Sequence, residues 1–141
     1  MSNEISYNLQ RFKDAHKESF PIALSEMRRG KKQSHWMWYI FPQIAGLGRS
    51  AMSMRYAIQD IEEARLYLTD KILREHMLEI CGVLLALPCD NATAIMGVPD
   101  DMKLRSSMTL FAEAAPHINI FQEVLNKYFD GKKDERTMSK L

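Results

Sequence analysis

The amino-acid sequence predicts an all-α protein, a single multihelical domain of residues 1–141 built around a buried central helix at about residues 70–87. Residues that start and stop helices recur along the chain, and apolar residues return at helical spacing between them. No segment alternates apolar and polar residues with the period of two that a half-buried strand shows. A chain of this length is one domain by default.

Two helices are predicted near the N-terminus. Asn8 is expected to cap the first, whose apolar residues include Phe12. Pro21 suits the first position of a second helix, with Ile22 facing the core and Gly30 as its stop.

Residues 30–56 depart from this regular pattern. A short helix or turn is predicted over 35–40, and Pro42 then forces Phe41 out of the helical region. Ser50 is expected to cap the short helix that follows this loop.

Two consecutive helices are predicted in the middle of the chain, capped by Asp60 and Asp70. Leu66 is placed on the apolar side of the first. The second runs to about Leu87, where Pro88 closes it, and its second half is apolar almost all round. That composition is typical of the buried centre of a helical bundle.

Three further helices complete the prediction. Asp100 or Asp101 is expected to cap the helix "DMKLRSSMTLFAEAA", which Pro116 ends. The next helix stops at Gly131, and Asp134 caps a short final one.

Composition excludes several classes of protein. The net charge is +1, so no global field recruits nucleic acid or an anionic membrane. The longest apolar run is too short to span a bilayer, and the N-terminus has no secretory signal. The two cysteines form no metal-binding pattern, so a reducing, cytoplasmic location is expected. The C-terminal Ser139-Lys140-Leu141 matches the peroxisomal address, a match that three residues readily make by chance.

The first candidate for a site is the aromatic segment "SHWMWYIFPQIAGLGRS", which contains both tryptophans. A buried indole N–H needs an acceptor, for which Gln43 or the loop carbonyls are expected. The segment is either an aromatic plug that holds the loop on the bundle or the wall of a small-molecule pocket with convergent polar groups. The residues expected to contact a ligand here are Trp36, Trp38, Gln43, Arg49, Ser50 and Tyr56, and His35 is the best general acid or base.

The second candidate is the segment "PDDMKLRSSMTLF". Lys103 and Ser107 lie one turn apart on one helix face and are considered as a catalytic pair, while Arg105 and Ser106 are considered as ligand contacts. The alternative is a solvated helix face with a back-bonding serine.

Two further patterns bear on partners. The basic run at residues 28–32 either complements the negative end of a helix or contacts nucleic acid. The four histidines form no H-x-x-x-H pair, so no metal and no cofactor is expected.

The motifs "GKKQSHWMWYIFPQIAGLGRSAMSMRYAI" and "PDDMKLRSSMTLF" carry a family resemblance. The chain resembles, over nearly its whole length, a bacterial family of unknown function, DUF1810, whose members are sometimes mislabelled calpastatin. The resemblance implies an all-helical intracellular protein and supplies no activity. The calpastatin label does not fit, because that inhibitor is a disordered repeat protein. The matched positions are more polar than core packing requires, which favours a site built jointly by the two motifs.

The leading hypothesis is therefore a small-molecule site for a polar or phosphate-bearing ligand, with an enzymatic role left open. One alternative is a protein–protein interaction module that uses exposed tryptophans, and another is nucleic-acid binding through the basic run. The sequence leaves the oligomeric state open.

Overall fold

The structure of the protein, a computed structural model, describes residues 7–141 and confirms the all-α class. Within that range the chain forms nine helices and no strand beyond one isolated bridge. The helices are α1 Gln10–Arg28, α2 Met37–Ile40, α3 Ala51–Arg55, α4 Ile61–Thr69, α5 Lys71–Ala86, α6 Ala92–Met96, α7 Asp100–Ala114, α8 Ile120–Phe129 and α9 Glu135–Met138. None of these helices combines the length and the apolarity needed to cross a membrane. Much of the N-terminal stretch in which no secretory signal is expected, residues 1–6, lies outside the described range.

The predicted pair of N-terminal helices is one continuous helix, α1, with Pro21 in its interior. The prediction of a second helix start was wrong because Pro21 lies on the exposed side of α1, where water reaches the carbonyl that proline leaves without a donor. Leu9, not Asn8, occupies the N-cap position, and no side chain bonds there. Ile22 is 49% exposed rather than in the core. Gly30 ends the helix as predicted, with φ +74°.

Most of the predicted helix caps are confirmed. A side-chain oxygen accepts the backbone N–H three residues further on at Ser50, Asp60, Asp70 and Asp134. The prediction for α7 was wrong, since its N-cap position is Pro99 and no side chain bonds there. Asp101 instead accepts a hydrogen bond from the Thr93 hydroxyl at 2.7 Å, which ties α7 to the unpredicted helix α6.

Two helices share the centre of the molecule. The helix predicted to be central, α5, packs against α1, α4 and α8. Helix α7 packs against α4, α6, α8 and α9, and ten of its fifteen residues are buried, compared with five of sixteen in α5. Leu66 of α4 points away from this core and is 42% exposed, so its predicted apolar placement was wrong.

The loop between α2 and α3 is fixed by a short parallel bridge between Ile44 and Ile58. The Ile58 N–H donates to the carbonyl of Gln43, and the Ala45 N–H donates to the carbonyl of Ile58, both at 2.8 Å. These two bonds hold the loop against the end of α3 and so place the side chains of the aromatic segment.

Candidate functional site

Trp36 belongs to the core and not to a cleft. It is 1% exposed, and its indole N–H donates to a carboxylate oxygen of Glu26 at 2.9 Å. The expectation that Gln43 or a loop carbonyl accepts this bond was therefore wrong. The same Glu26 oxygen accepts the backbone N–H groups of Gln33 and Ser34, and its second oxygen accepts the Ser34 hydroxyl.

This cluster keeps Glu26 ionised although it is buried. Burial raises the pKa of Glu26, but the hydrogen bonds from Ser34, Gln33 and Trp36 outweigh it and lower the pKa to about 2. Sequence reasoning missed Glu26. Its spacing could have indicated a buried carboxylate, because Glu26 lies three residues after Ala23 and so on the same inward face of α1.

Trp38 turns the other way and lines a cleft of about 430 Å³, here called the aromatic cleft. Its lining includes Trp38, Gln43, Gly48, Arg49, Ser53 and Tyr56. The ring of buried Tyr56 lies 5.0 Å from that of Tyr39, which supports it from behind. The cleft therefore combines two aromatic walls with an exposed arginine.

A second cleft of about 340 Å³, here called the lysine cleft, adjoins the first. Its lining includes Lys103, Ser106, Asp134 and Arg136. The two clefts share Gln43, Gly48 and Ser53, so the two sequence motifs meet across them. Lys103 also lies near the aromatic wall, since its ammonium is 5.8 Å from the centre of the Trp38 ring.

Gly48 sits where the two clefts join. A Cβ atom at this position would lie 2.6 Å from the Cβ of Ser53, so a larger residue requires the loop to move. Ser50 does not line either cleft, contrary to the prediction, because its hydroxyl caps α3 and bonds to the Ser53 hydroxyl at 2.9 Å. Ser50 therefore positions Ser53, which lines both clefts.

The predicted catalytic residues do not converge. Ser107 is fully buried, lines neither cleft, and its hydroxyl has no hydrogen-bond partner within residues 7–141. The proposed pair with Lys103 is therefore absent, because Ser107 points into the interior of the bundle while the Lys103 ammonium lies 3.7 Å from Asp100. His35 is exposed and also lines neither cleft.

The side chains of Arg105 and Ser106 form hydrogen bonds to the C-terminal segment. The Arg105 guanidinium donates to the carbonyls of Lys132 and Lys133 at 2.9 and 2.8 Å, and Arg105, which is predicted to contact a ligand, lines neither cleft. Ser106 reaches the lysine cleft, and its hydroxyl bonds to the Asp134 carboxylate at 3.2 Å.

These contacts bring in one cleft residue and one neighbour of the clefts that sequence reasoning missed. Arg136 lines the lysine cleft, and the Lys140 side chain packs 3.1 Å from where a Cβ of Gly46 would lie, at the edge of the aromatic cleft. Both are far from the two motifs in the chain, and only the packing of α9 on α7 brings them there. No local sequence pattern signals that placement.

The joined clefts carry an excess of positive charge. Arg49 and Arg136 form no ion pair within residues 7–141, and Lys103 shares Asp100 with Lys32. The cleft carboxylate of Asp134 is already occupied as the cap of α9.

Two of the four cations of the basic run at 28–32 form ion pairs. Lys32 is nearly buried and pairs with Asp100 at 2.9 Å, and Arg28 pairs with Glu79 at 3.3 Å. Arg29 bonds to the Ser25 hydroxyl of its own helix. Arg29 and Lys31 are therefore the cations of the run without an ion pair in the described part of the chain.

Buried His16 and half-buried His76 form a pair away from the clefts. The His16 Nε2 atom donates to the Tyr39 carbonyl at 2.8 Å, so its Nδ1 accepts from the Nδ1–H of His76 at 2.9 Å. Burial lowers the pKa of His16 to about 4. Across residues 7–141, no three metal-binding side chains come together.

Comparison with known proteins agrees with this architecture. The family model described as "Protein of unknown function (DUF1810)" matches residues 6–141. The chain belongs to the DUF1810 family. Among solved structures, this DUF1810 protein is similar to the conserved hypothetical protein Rv1873 from Mycobacterium tuberculosis, with a TM-score of 0.92 and 40% identity. The match covers 94% of this chain and 95% of that one. No curated protein matches the chain.

Proposed function

We propose that the protein binds a small anionic ligand, phosphate-bearing and with a planar apolar part, in the joined aromatic and lysine clefts. The observation that carries the proposal is the junction at Gln43, Gly48 and Ser53, which makes one continuous opening out of two clefts of about 430 and 340 Å³. Small-ligand sites span about 300–1,000 Å³ and combine apolar walls with a few oriented polar groups.

The two ends of this opening suit different parts of a ligand. The half-buried Trp38 offers a ring on which a planar group can stack, and the largely buried Tyr56 lines the same wall. Arg49, Lys103 and Arg136 supply cations for an oxyanion, and a guanidinium binds two phosphate oxygens at once. Gln43 lies between the two ends and can orient the ligand by hydrogen bonding.

The proposal is one of binding. Of the three residues predicted to be catalytic, Lys103 alone lines a cleft, while His35 and Ser107 do not. A general acid or base must reach the reacting atom through at most one water, and neither His35 nor Ser107 has access to the opening.

A thermal-shift screen of nucleoside phosphates and sugar phosphates tests the proposal, because a ligand selective for the folded state raises the melting temperature. The hits are then measured by calorimetry on Arg49→Ala, Lys103→Ala and a control, Arg29→Ala, which removes an exposed arginine outside both clefts. We expect each cleft variant to weaken binding about tenfold and the control to leave it unchanged.

Two results would contradict the proposal. Hits whose affinity is the same in folded Arg49→Ala and Lys103→Ala bind elsewhere. A screen in which neutral aromatic compounds stabilise the protein as well as their phosphates do would remove the anionic part of the proposal.

We also propose a cytoplasmic location. Cys81 and Cys89 are both free thiols, a state that a reducing compartment maintains.

A further inference from the structure

A separate cleft of about 590 Å³ lies between the junction of α4 and α5 and the loop that follows α7. We call it the arginine cleft. It is lined by Arg65, Leu68, Thr69, Arg74 and the segment 114–118, and it shares no lining residue with the aromatic or the lysine cleft. Nothing in the proposed function uses it.

The polar side of the arginine cleft is cationic. Arg65 and Arg74 supply its positive charge, the exposed His117 lies beside them, and no aspartate or glutamate lines the cleft. Arg65 is held in place because its Nε–H donates to the Ala114 carbonyl at 3.2 Å, and its other end contacts Glu62, which lies outside the lining. Within residues 7–141, the guanidinium of Arg74 makes no hydrogen bond and no ion pair.

The other side of the arginine cleft is apolar. Leu68, Ala114 and Ala115 form a buried floor, and Pro116 and Ile118 continue it towards the surface. The one other polar side chain, Thr69, donates its hydroxyl to the Leu66 carbonyl of its own helix. An apolar floor beside a guanidinium without a partner suits a ligand that carries one anionic head and an aliphatic body.

We propose that the arginine cleft binds a carboxylate with a short aliphatic chain. The two oxygens of a carboxylate match the two parallel N–H groups of the Arg74 guanidinium, and the chain covers the floor at Leu68 and Ala115. A single negative charge suffices, because Arg65 already has Glu62 as a partner.

Titration of the full chain with octanoate, followed by amide resonances in two-dimensional NMR, tests this proposal. Acetate and octan-1-ol serve as comparisons, since acetate lacks the chain and octan-1-ol lacks the charge. We expect saturable shifts at the amides of Thr69, Ala115 and Ile118 with octanoate, and at least tenfold weaker binding of the other two probes.

Variants assign the interaction to its residue. Arg74→Met keeps an apolar stem but removes the charge. The half-exposed Arg74 side chain makes no hydrogen bond and no ion pair within residues 7–141, so we expect this variant to fold. We expect it to raise the octanoate dissociation constant about tenfold, whereas Arg28→Met, which removes an exposed arginine elsewhere, leaves it unchanged.

The proposal is overturned if octan-1-ol or acetate binds as tightly as octanoate, or if Arg74→Met binds octanoate as the unmodified chain does. It is equally overturned if no shift saturates, or if the shifts centre on Trp38 and Tyr56. The last result would place the carboxylate in the aromatic cleft.

Discussion

Replacing Glu26 with glutamine is expected to remove the charge that fixes the start of the aromatic segment. In the folded protein Glu26 is 3% exposed and accepts four hydrogen bonds, from two backbone N–H groups, the Ser34 hydroxyl and the Trp36 indole. Glutamine has nearly the same shape. Its oxygen can keep three of these bonds and its amide can donate to the Ser34 hydroxyl, so Glu26→Gln isolates the effect of the charge.

The size of the effect follows from the pKa. The hydrogen bonds lower the pKa of Glu26 from its ordinary 4.5 to about 2. Each pKa unit corresponds to about 1.4 kcal/mol, so the ionised carboxylate contributes about 3 kcal/mol to the free energy of unfolding. Because the folded-state pKa is the lower one, this contribution is complete above pH 4.5 and disappears as the pH falls towards 2.

Urea unfolding followed by tryptophan fluorescence measures both quantities, since both tryptophans lie within residues 36–38. At pH 7 we expect Glu26→Gln to lose about 2–3 kcal/mol, and the difference from the unmodified chain to shrink between pH 4.5 and 3. Glu75→Gln, at an exposed carboxylate of α5, is the matched control and should change little. A Glu26→Gln protein within 0.5 kcal/mol of the unmodified chain at pH 7 would refute the reasoning.

Three other changes test contacts away from Glu26. Burial lowers the pKa of His16 to about 4 and keeps it neutral. The free energy of unfolding should therefore fall by about 3 kcal/mol as the pH is lowered from 6.5 to 4. Urea titrations of His16→Gln should show a smaller fall over the same pH range. The Lys127 ammonium donates to three carbonyls at the end of α5. Lys127→Met should therefore lower the free energy of unfolding by about 2–3 kcal/mol and speed amide hydrogen exchange at that end of the helix. Unchanged stability would contradict this role. Gly48→Ala should lower the free energy of unfolding by about 1–3 kcal/mol, measured by thermal unfolding, because its Cβ clashes with Ser53. Adding Ser53→Gly should recover part of this loss. If the double variant recovers nothing, the strain does not come from the contact with Ser53.

Helix boundaries were predictable where the signal is local. Asp60 and Asp70 cap their helices because the carboxylate of an N-cap residue reaches the backbone N–H three residues further on. Pro21 misled the prediction because its effect depends on which side of α1 faces water, and that is a property of the packed molecule. The predicted cap at Asp101 was wrong because its carboxylate accepts a hydrogen bond from Thr93, which lies on another helix.

The candidate site was predictable to the extent that it lies in the motifs. Trp38, Gln43, Arg49, Tyr56, Lys103 and Ser106 line the joined clefts. Arg105 and Ser107 have the right composition for a site, but helix α7 turns one towards the C-terminal loop and the other into the core. Arg136 reaches the lysine cleft and Lys140 packs beside Gly46 through tertiary contacts, which spacing along the chain does not encode.

The aromatic segment was interpreted as either a plug or a wall, and the structure assigns one role to each tryptophan. Trp36 is the non-helical N-cap of α2 and Trp38 lies within that helix, and their side chains occupy different environments, the core and the lining of the aromatic cleft. The Glu26 carboxylate accepts the Trp36 indole N–H at 2.9 Å and holds that ring in the core, while Trp38 lines the aromatic cleft. The buried charge contributes nothing to the cleft lining, but its charge-assisted hydrogen bond anchors the segment two residues before Trp38.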